Sequence, residues 1–206
     1  MIQAAVPPLV LASQSAARVT LLHAAGLRFT ARPARVDEGA VKAACRAEGL
    51  DAADTALTLA GLKAERINDP AALVIGADQI LVTLDDAGHE RWFDKPIDRA
   101  AARTHLQALR GRPHRLVTAV VCCRGGAEVW RHLAEPRLRM RRFSDAFLED
   151  YLDAEGDAVL SSVGAYRLEG LGLHLFDAVD GEHSAILGLP MLPLLGFLRQ
   201  HGVLAV

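Results

Sequence analysis

One stretch restricts this chain more than any other: Leu-Val-Leu-Ala-Ser-Gln-Ser-Ala-Ala-Arg-Val-Thr-Leu-Leu at residues 9 to 22, where an apolar run passes through two serines into a helical pattern. Val10 to Ala12 read as a buried strand, and Ser15 can cap a helix over 15 to 25 that Gly26 stops. The free N–H groups of that first helical turn, the hydroxyls of Ser13 and Ser15 and the guanidinium of Arg18 together suit a phosphate. Taken alone, the same residues also describe an ordinary capped turn with a solvated arginine, so corroboration has to come from elsewhere in the chain.

The alternation of strand and helix continues. A short strand covers 28 to 32, a polar loop carries Asp37 and Glu38, and a helix runs from about Asp54 to Ile67. An apolar strand from Leu73 to Ala77 continues as Ile80 to Leu84, and the turn Asp85-Asp86-Ala87-Gly88 leads into a short strand ending at Phe93. Asp98 caps a helix to Leu109, closed by Gly111. A strand over 114 to 123 turns at Arg124-Gly125-Gly126 into a second extended run from Glu128 to Arg141. A helix over 145 to 154 ends near Gly156, a glycine-rich segment from Gly164 to Gly172 feeds a strand over 173 to 179, and a last helix starts near Pro190. This pattern predicts an α/β fold, and 206 residues without repeat or disordered linker are read as a single domain, 1–206.

Composition narrows the partners. A net charge of -2 argues against a nucleic-acid or membrane-surface protein held by bulk electrostatics, so an anionic ligand should be small. The run Arg137-Leu138-Arg139-Met140-Arg141-Arg142 resembles a nucleic-acid stripe, but its period of two puts Leu138 and Met140 on one face and leaves the arginines to solvent. Cys45, Cys122 and Cys123 read as reduced core residues of a cytoplasmic protein. The first residues carry no basic segment before their short apolar stretch, and no window approaches the length of a membrane span. The eight histidines show no pair at ligand spacing, and no cysteine pair completes a zinc site, which favours a hard cation held by carboxylates.

Three charged positions occupy segment ends or a helix face: Asp78 directly after Val-Ile-Gly-Ala, Lys95 in an Asp-Lys-Pro step, and Lys63 within a helix. Gly76 permits close backbone approach beside Asp78, whose carboxylate can ligate Mg²⁺ or Mn²⁺ or take a proton from water. Singly, each is as well explained by a turn aspartate or a solvated lysine. Together, Ser13-x-Ser15-x-x-Arg18, Asp37-Glu38, Leu59-Ala60-x-x-Lys63-Ala64, Gly76-Ala77-Asp78, Lys95-Pro96, Leu109-x-Gly111-x-x-His114, Gly170-x-Gly172 and Gly188-Leu189-Pro190 fall in one order. In that order the chain resembles the Maf family of nucleoside triphosphate pyrophosphatases, from about Leu9 to Gly202.

The resemblance implies an α/β fold shared with inosine triphosphate pyrophosphatases, with a mixed, elongated sheet and a nucleotide cleft between two lobes, commonly as a homodimer. It implies hydrolysis between the α and β phosphates, releasing the monophosphate and pyrophosphate with a divalent cation, Mg²⁺ or Mn²⁺, as nucleotide house-cleaning. By the same resemblance Asp78 is the general base and a metal ligand, Glu38 helps hold the cation, and Ser13, Ser15, Arg18, Lys63 and Lys95 embrace the triphosphate. Water attack in line, with no covalent intermediate, suits this inventory.

The chain departs from the common family opening Ser-x-Ser-Pro-Arg-Arg, having Ala16 and Ala17 where the proline and first arginine stand. It also has Gln79 after Asp78, Asp94 before Lys95, and Glu169 where a glutamine is usual. In this it is similar to the branch that prefers 7-methyl-GTP. A carboxylate at Glu169 matches the N1–H and N2–H donors of guanine and the positive charge of its 7-methyl form. Two other readings compete: a pyrophosphatase for dTTP, UTP or mixed noncanonical nucleotides, and a non-catalytic regulator of septum formation and cell division. No nucleic-acid or membrane partner is expected.

Overall fold

The computed structural model describes residues 2–205. In chain order the first half runs β1 (Leu9–Leu11), α1 (Ala16–Ala24), β2 (Phe29–Ala31), α2 (Glu38–Ala47), α3 (Ala52–Glu65), β3 (Leu73–Leu84), β4 (Glu90–Phe93) and α4 (Arg99–Leu109). The second half runs β5 (Pro113–Arg124), β6 (Ala127–Ala134), β7 (Arg137–Met140), α5 (Asp145–Glu155), β8 (Phe176–Asp180), α6 (His183–Ile186) and α7 (Met191–Gln200), with 3₁₀ turns between α5 and β8. The strands form one mixed sheet in the order β2-β1-β3-β5-β7-β8, with β4 paired to β3 and β6 to β5. The expected α/β class is therefore what the chain adopts.

Two compact units share this chain. The first comprises the residues up to Asp78, Thr118–Ala134, and the residues from His183 on. Here β1 is the central strand of a parallel trio, with Leu9 opposite Phe29 of β2 and Leu73 of β3. Leu9, Leu11, Leu22, Ile75, Val120 and Phe197 belong to its continuous apolar core. β1 and the first part of β3 are buried along their whole length, which is why they read as unbroken apolar runs. Ser15 caps α1 as expected, accepting from the Arg18 N–H, and Gly26 follows the helix with φ +71°.

The second unit comprises Gln79–Val117 and Glu135–Glu182. The end of β3 turns through Asp85 and Gly88 into β4, placing Leu81 opposite Phe93. β7 lies between β5 and β8, with Leu138 opposite both His114 and Val179. Leu138 and Met140 are buried and Arg137 and Arg139 exposed, so the arginine run is a strand with one solvated face. Asp98 caps α4, its side chain accepting from the Ala101 N–H. Leu106, Leu109, Leu148 and Tyr166 are all buried within this unit.

Three local expectations are corrected and one is met. Asp37 and Glu38 do not lie in a loop: Asp37 caps α2, accepting from Ala40 N–H, and Glu38 is its first residue. The strand over 73–77 does continue into 80–84, the two forming one twelve-residue strand, β3. The extended run over 128–141 is two strands, interrupted at Glu135 and Pro136, and Pro136 instead accepts from the Leu116 N–H. The strand expected at 173 begins only at Phe176, because Leu171–Leu175 forms a 3₁₀ turn. Cys45, Cys122 and Cys123 are free and buried.

Candidate active site

Asp78 is the last residue of the first unit, follows five buried residues of β3 and is only 3 % exposed itself. Its surroundings are set by the packing of α3 on β3. The buried face of α3 is made of small residues, Ala52, Ala56, Ala60 and Ala64, with Leu59 and Lys63 among them. At Gly76 the two elements touch: a Cβ there would lie 2.1 Å from the Ala60 carbonyl oxygen and 2.8 Å from the Ala64 nitrogen. Gly76 does admit a close backbone approach, and what approaches is the helix that carries Lys63.

Lys63 is 8 % exposed. Its Nζ donates to Asp78 Oδ1 at 2.6 Å and pairs with Glu38 Oε1 at 2.7 Å. One ammonium thus joins two carboxylates from β3 and from the first turn of α2. Burial pushes the Asp78 carboxyl above its usual range, with Glu38 adding to the rise and Lys63 and Arg18 opposing it. Glu38, half exposed, ends below its usual range: its burial acts upward, but Lys63, Lys42 and Arg18 outweigh it.

Arg18 approaches the same group from α1. Its Nε donates to the Gly188 carbonyl at 2.8 Å, and its Nη1 donates to the Ala77 carbonyl at 2.8 Å and to Ser13 Oγ at 3.3 Å. Ser13 Oγ in turn accepts from the Ser15 N–H at 3.2 Å. Arg18 is 9 % exposed, and burial lowers its affinity for the proton against the pull of Asp78 and Glu38. The strand-to-helix turn read from residues 9 to 22 is present, but its arginine braces two backbone carbonyls as well as facing the carboxylates.

The structure therefore brings Ser13, Ser15, Arg18, Glu38, Lys63 and Asp78 into one neighbourhood of the first unit. Gln79, Lys95 and Glu169 belong to the second unit. Gln79 follows Asp78 in β3 and is half-buried, Lys95 is exposed shortly after β4, and Glu169 is exposed on the segment before the 3₁₀ turn. Sequence reasoning missed the Gly188 carbonyl, which sits 170 residues from the arginine it accepts from, and no local pattern announces it.

A cation fits this donor set. Asp78 Oδ2 is buried and has no hydrogen-bond partner, an orphan that a hard cation would satisfy beside Glu38. Among the described residues no three His, Cys, Asp or Glu side chains are grouped to hold a metal, so two carboxylates would be completed by phosphate oxygens and water, as suits Mg²⁺. No described helix is long and apolar enough to cross a membrane.

The first unit thus holds a buried aspartate of β3, bridged by lysine to a second carboxylate, with a serine-braced arginine close by. Residues 8–201 match the family described as Maf-like protein, and the chain belongs to that family. It is 54 % identical over 200 residues to a protein of Granulibacter bethesdensis named nucleoside triphosphate pyrophosphatase, covering 96 % of this chain and 99 % of the relative. A protein of the same name from Rhodospirillum rubrum is 54 % identical over 203 residues, 98 % of each chain. One from Gluconobacter oxydans, also so named, is 51 % identical over 200 residues, 96 % of each.

Proposed function

We propose that this protein is a nucleoside triphosphate pyrophosphatase that hydrolyses its substrate between the α and β phosphates, with residues 1–206 acting as one domain. The observation that carries the reading is the Lys63 ammonium set between Asp78 Oδ1 at 2.6 Å and Glu38 Oε1 at 2.7 Å, with Asp78 Oδ2 unpartnered. The relatives' names and their near-complete coverage of this chain support it.

Glu38 and Asp78 would hold a divalent cation, Mg²⁺ or Mn²⁺, which when bound supplies charge neutralisation at the phosphoryl oxygens. Asp78 takes the proton of the attacking water on the second lone pair of Oδ1, whose other lone pair accepts from Lys63, which leaves Oδ2 to the cation. Lys63 fixes the Asp78 rotamer and offers its remaining hydrogen-bonding capacity to phosphate. Ser13, Ser15 and the first turn of α1 hold a phosphate, and Arg18 keeps that turn against Ala77 and Gly188 while contributing positive charge. Lys95 is assigned to the triphosphate as a third positive side chain after Lys63 and Arg18, and Gln79 and Glu169 are assigned to the nucleobase.

For the base, 7-methyl-GTP is the preferred substrate of this reading, because the exposed Glu169 carboxylate can accept from N1–H and N2–H and attract the methylated, positively charged ring. Pyrophosphate release from 7-methyl-GTP, GTP, dTTP, UTP and CTP tests it, with Glu169→Gln run beside the native protein. Selective release from 7-methyl-GTP, lost in Glu169→Gln, is the expected result. A pyrimidine preference refutes the base assignment and leaves the chemistry. No release from any nucleotide favours a regulatory protein of another class.

A further inference from the structure

Glu155, the last residue of α5, is a buried carboxylate that the mechanism above does not use. Its side chain is 2 % exposed, yet it makes three contacts with one short segment. Oε2 accepts from Arg167 Nε at 2.9 Å and pairs with Arg167 Nη2 at 2.9 Å, while Oε1 accepts from the Leu171 N–H at 3.2 Å. The segment between those two partners is the one that carries Glu169. It is folded tightly on itself: a Cβ at Gly172 would lie 2.4 Å from the Arg167 carbonyl oxygen. Tyr151, one turn earlier in α5, donates to the Ala165 carbonyl at 3.2 Å, and Ala165 is held at φ +61°, a conformation a side-chain-bearing residue adopts only when its surroundings impose it.

Arg167 is the point of interest. It stands two residues before Glu169 and within electrostatic reach of it, so two carboxylates compete for one guanidinium. An Arg167–Glu169 pair would neutralise the group assigned to the base and fill its acceptor sites. Glu155 wins the competition because it is desolvated and engages the guanidinium through two nitrogens, whereas Glu169 is exposed and screened.

We propose that Glu155 is a positioning residue for base selectivity: by binding Arg167 it keeps that guanidinium off Glu169 and leaves the Glu169 carboxylate to the nucleobase. This rests on the role given to Glu169 above. Removing only the charge of Glu155 should therefore turn Arg167 toward Glu169, and removing Arg167 as well should undo the damage.

The test is a cycle of Glu155→Gln, Arg167→Met and the double variant in the full-length protein. Glutamine keeps the volume and still accepts from the Leu171 N–H, so the anchor of the segment survives. Two readouts are taken: the ratio of kcat/KM for 7-methyl-GTP over UTP, and the partner of the Arg167 guanidinium in a crystal structure of Glu155→Gln. Glu155→Gln should lower the ratio about tenfold, through KM for 7-methyl-GTP, and place the Arg167 guanidinium within hydrogen-bond distance of the Glu169 carboxylate. Arg167→Met should leave the ratio near its native value, and the double variant should restore it.

A merely structural Glu155 would give a double variant no better than Glu155→Gln, and that result overturns the proposal. So does an Arg167 guanidinium that stays away from Glu169 in Glu155→Gln, or one that pairs with Glu169 while the nucleotide ratio does not change. If the native protein shows no preference for 7-methyl-GTP, the base assignment of Glu169 fails on its own. The crystal structure of Glu155→Gln still decides whether Glu155 holds Arg167 away.

Discussion

Replacing Gly76 by alanine places a methyl group where the backbone of α3 already is. The added Cβ would lie 2.1 Å from the Ala60 carbonyl oxygen, 2.8 Å from the Ala64 nitrogen and 3.0 Å from the Ala64 Cβ. None of these is the free end of a flexible side chain, so relief requires α3 to withdraw from β3 by more than an ångström. Overpacking of this kind costs about 3 kcal/mol when rigid backbone must move, which for a chain of this length is a fall of roughly 6–12 °C in Tm. The function suffers separately. Lys63 rides on α3 within one turn of both Ala60 and Ala64, and its 2.6 Å contact with Asp78 cannot survive such a displacement. A misplacement of about 1 Å at a reacting group costs on the order of 100-fold in turnover. Differential scanning calorimetry and pyrophosphate release read the two effects. Gly61, in the same helix, meets nothing within 4 Å, so Gly61→Ala should raise stability by about 0.5–1 kcal/mol through helix propensity alone. A Gly76→Ala protein within 2 °C (about 1 kcal/mol) of the native Tm and with native turnover would refute the claim that this contact sets the site.

Arg18→Ala leaves the Gly188 and Ala77 carbonyls without their buried donor, and should cost about 3 kcal/mol in urea denaturation; a change within about 0.5 kcal/mol would show that the brace does not matter. His114 is 4 % exposed, with Nε2 2.9 Å from the Tyr166 hydroxyl, and burial brings its pKa down to about 4. Because the folded protein keeps this ring neutral while the unfolded chain protonates it near pH 6.5, the stability tied to it is complete above that pH and is lost as pH falls toward 4. By pH 4.5 the loss is about 2.5 kcal/mol, and His114→Gln should flatten the stability profile by that amount relative to the native protein; parallel profiles would exclude it.

The elements that carry their own start and stop were legible in the sequence. Ser15 and Gly26 frame α1, Asp98 caps α4, and Asp85 to Gly88 turns β3 into β4, each through contacts made within a few residues. α2 was passed over although Asp37 caps it and Ala40, Val41, Ala44 and Cys45 recur at helical spacing over Glu38–Ala47; that stripe is short, made mostly of alanine, and buries only Cys45. The arginine run divided correctly into faces, since Leu138 and Met140 alternate with exposed arginines, but the break at Pro136 was read through. At the site, the residue types were visible and their pairing was not. Lys63 looks like a surface lysine on a helix until residues 15 and 25 positions away meet it in space. Arg18 reads as a ligand-facing cation, and only the fold discloses that the Gly188 carbonyl occupies its Nε.

The central claim is that Asp78, set by Lys63, drives release of pyrophosphate from a nucleoside triphosphate, and it is tested most directly by product analysis of the native protein beside Asp78→Asn. Both are incubated with 7-methyl-GTP, GTP and UTP in the presence of Mg²⁺ or Mn²⁺. The account predicts equimolar monophosphate and pyrophosphate with no orthophosphate from the native protein, and a rate lower by about 10³-fold in a folded Asp78→Asn variant. Near-native release from Asp78→Asn, or orthophosphate as the product, would contradict it.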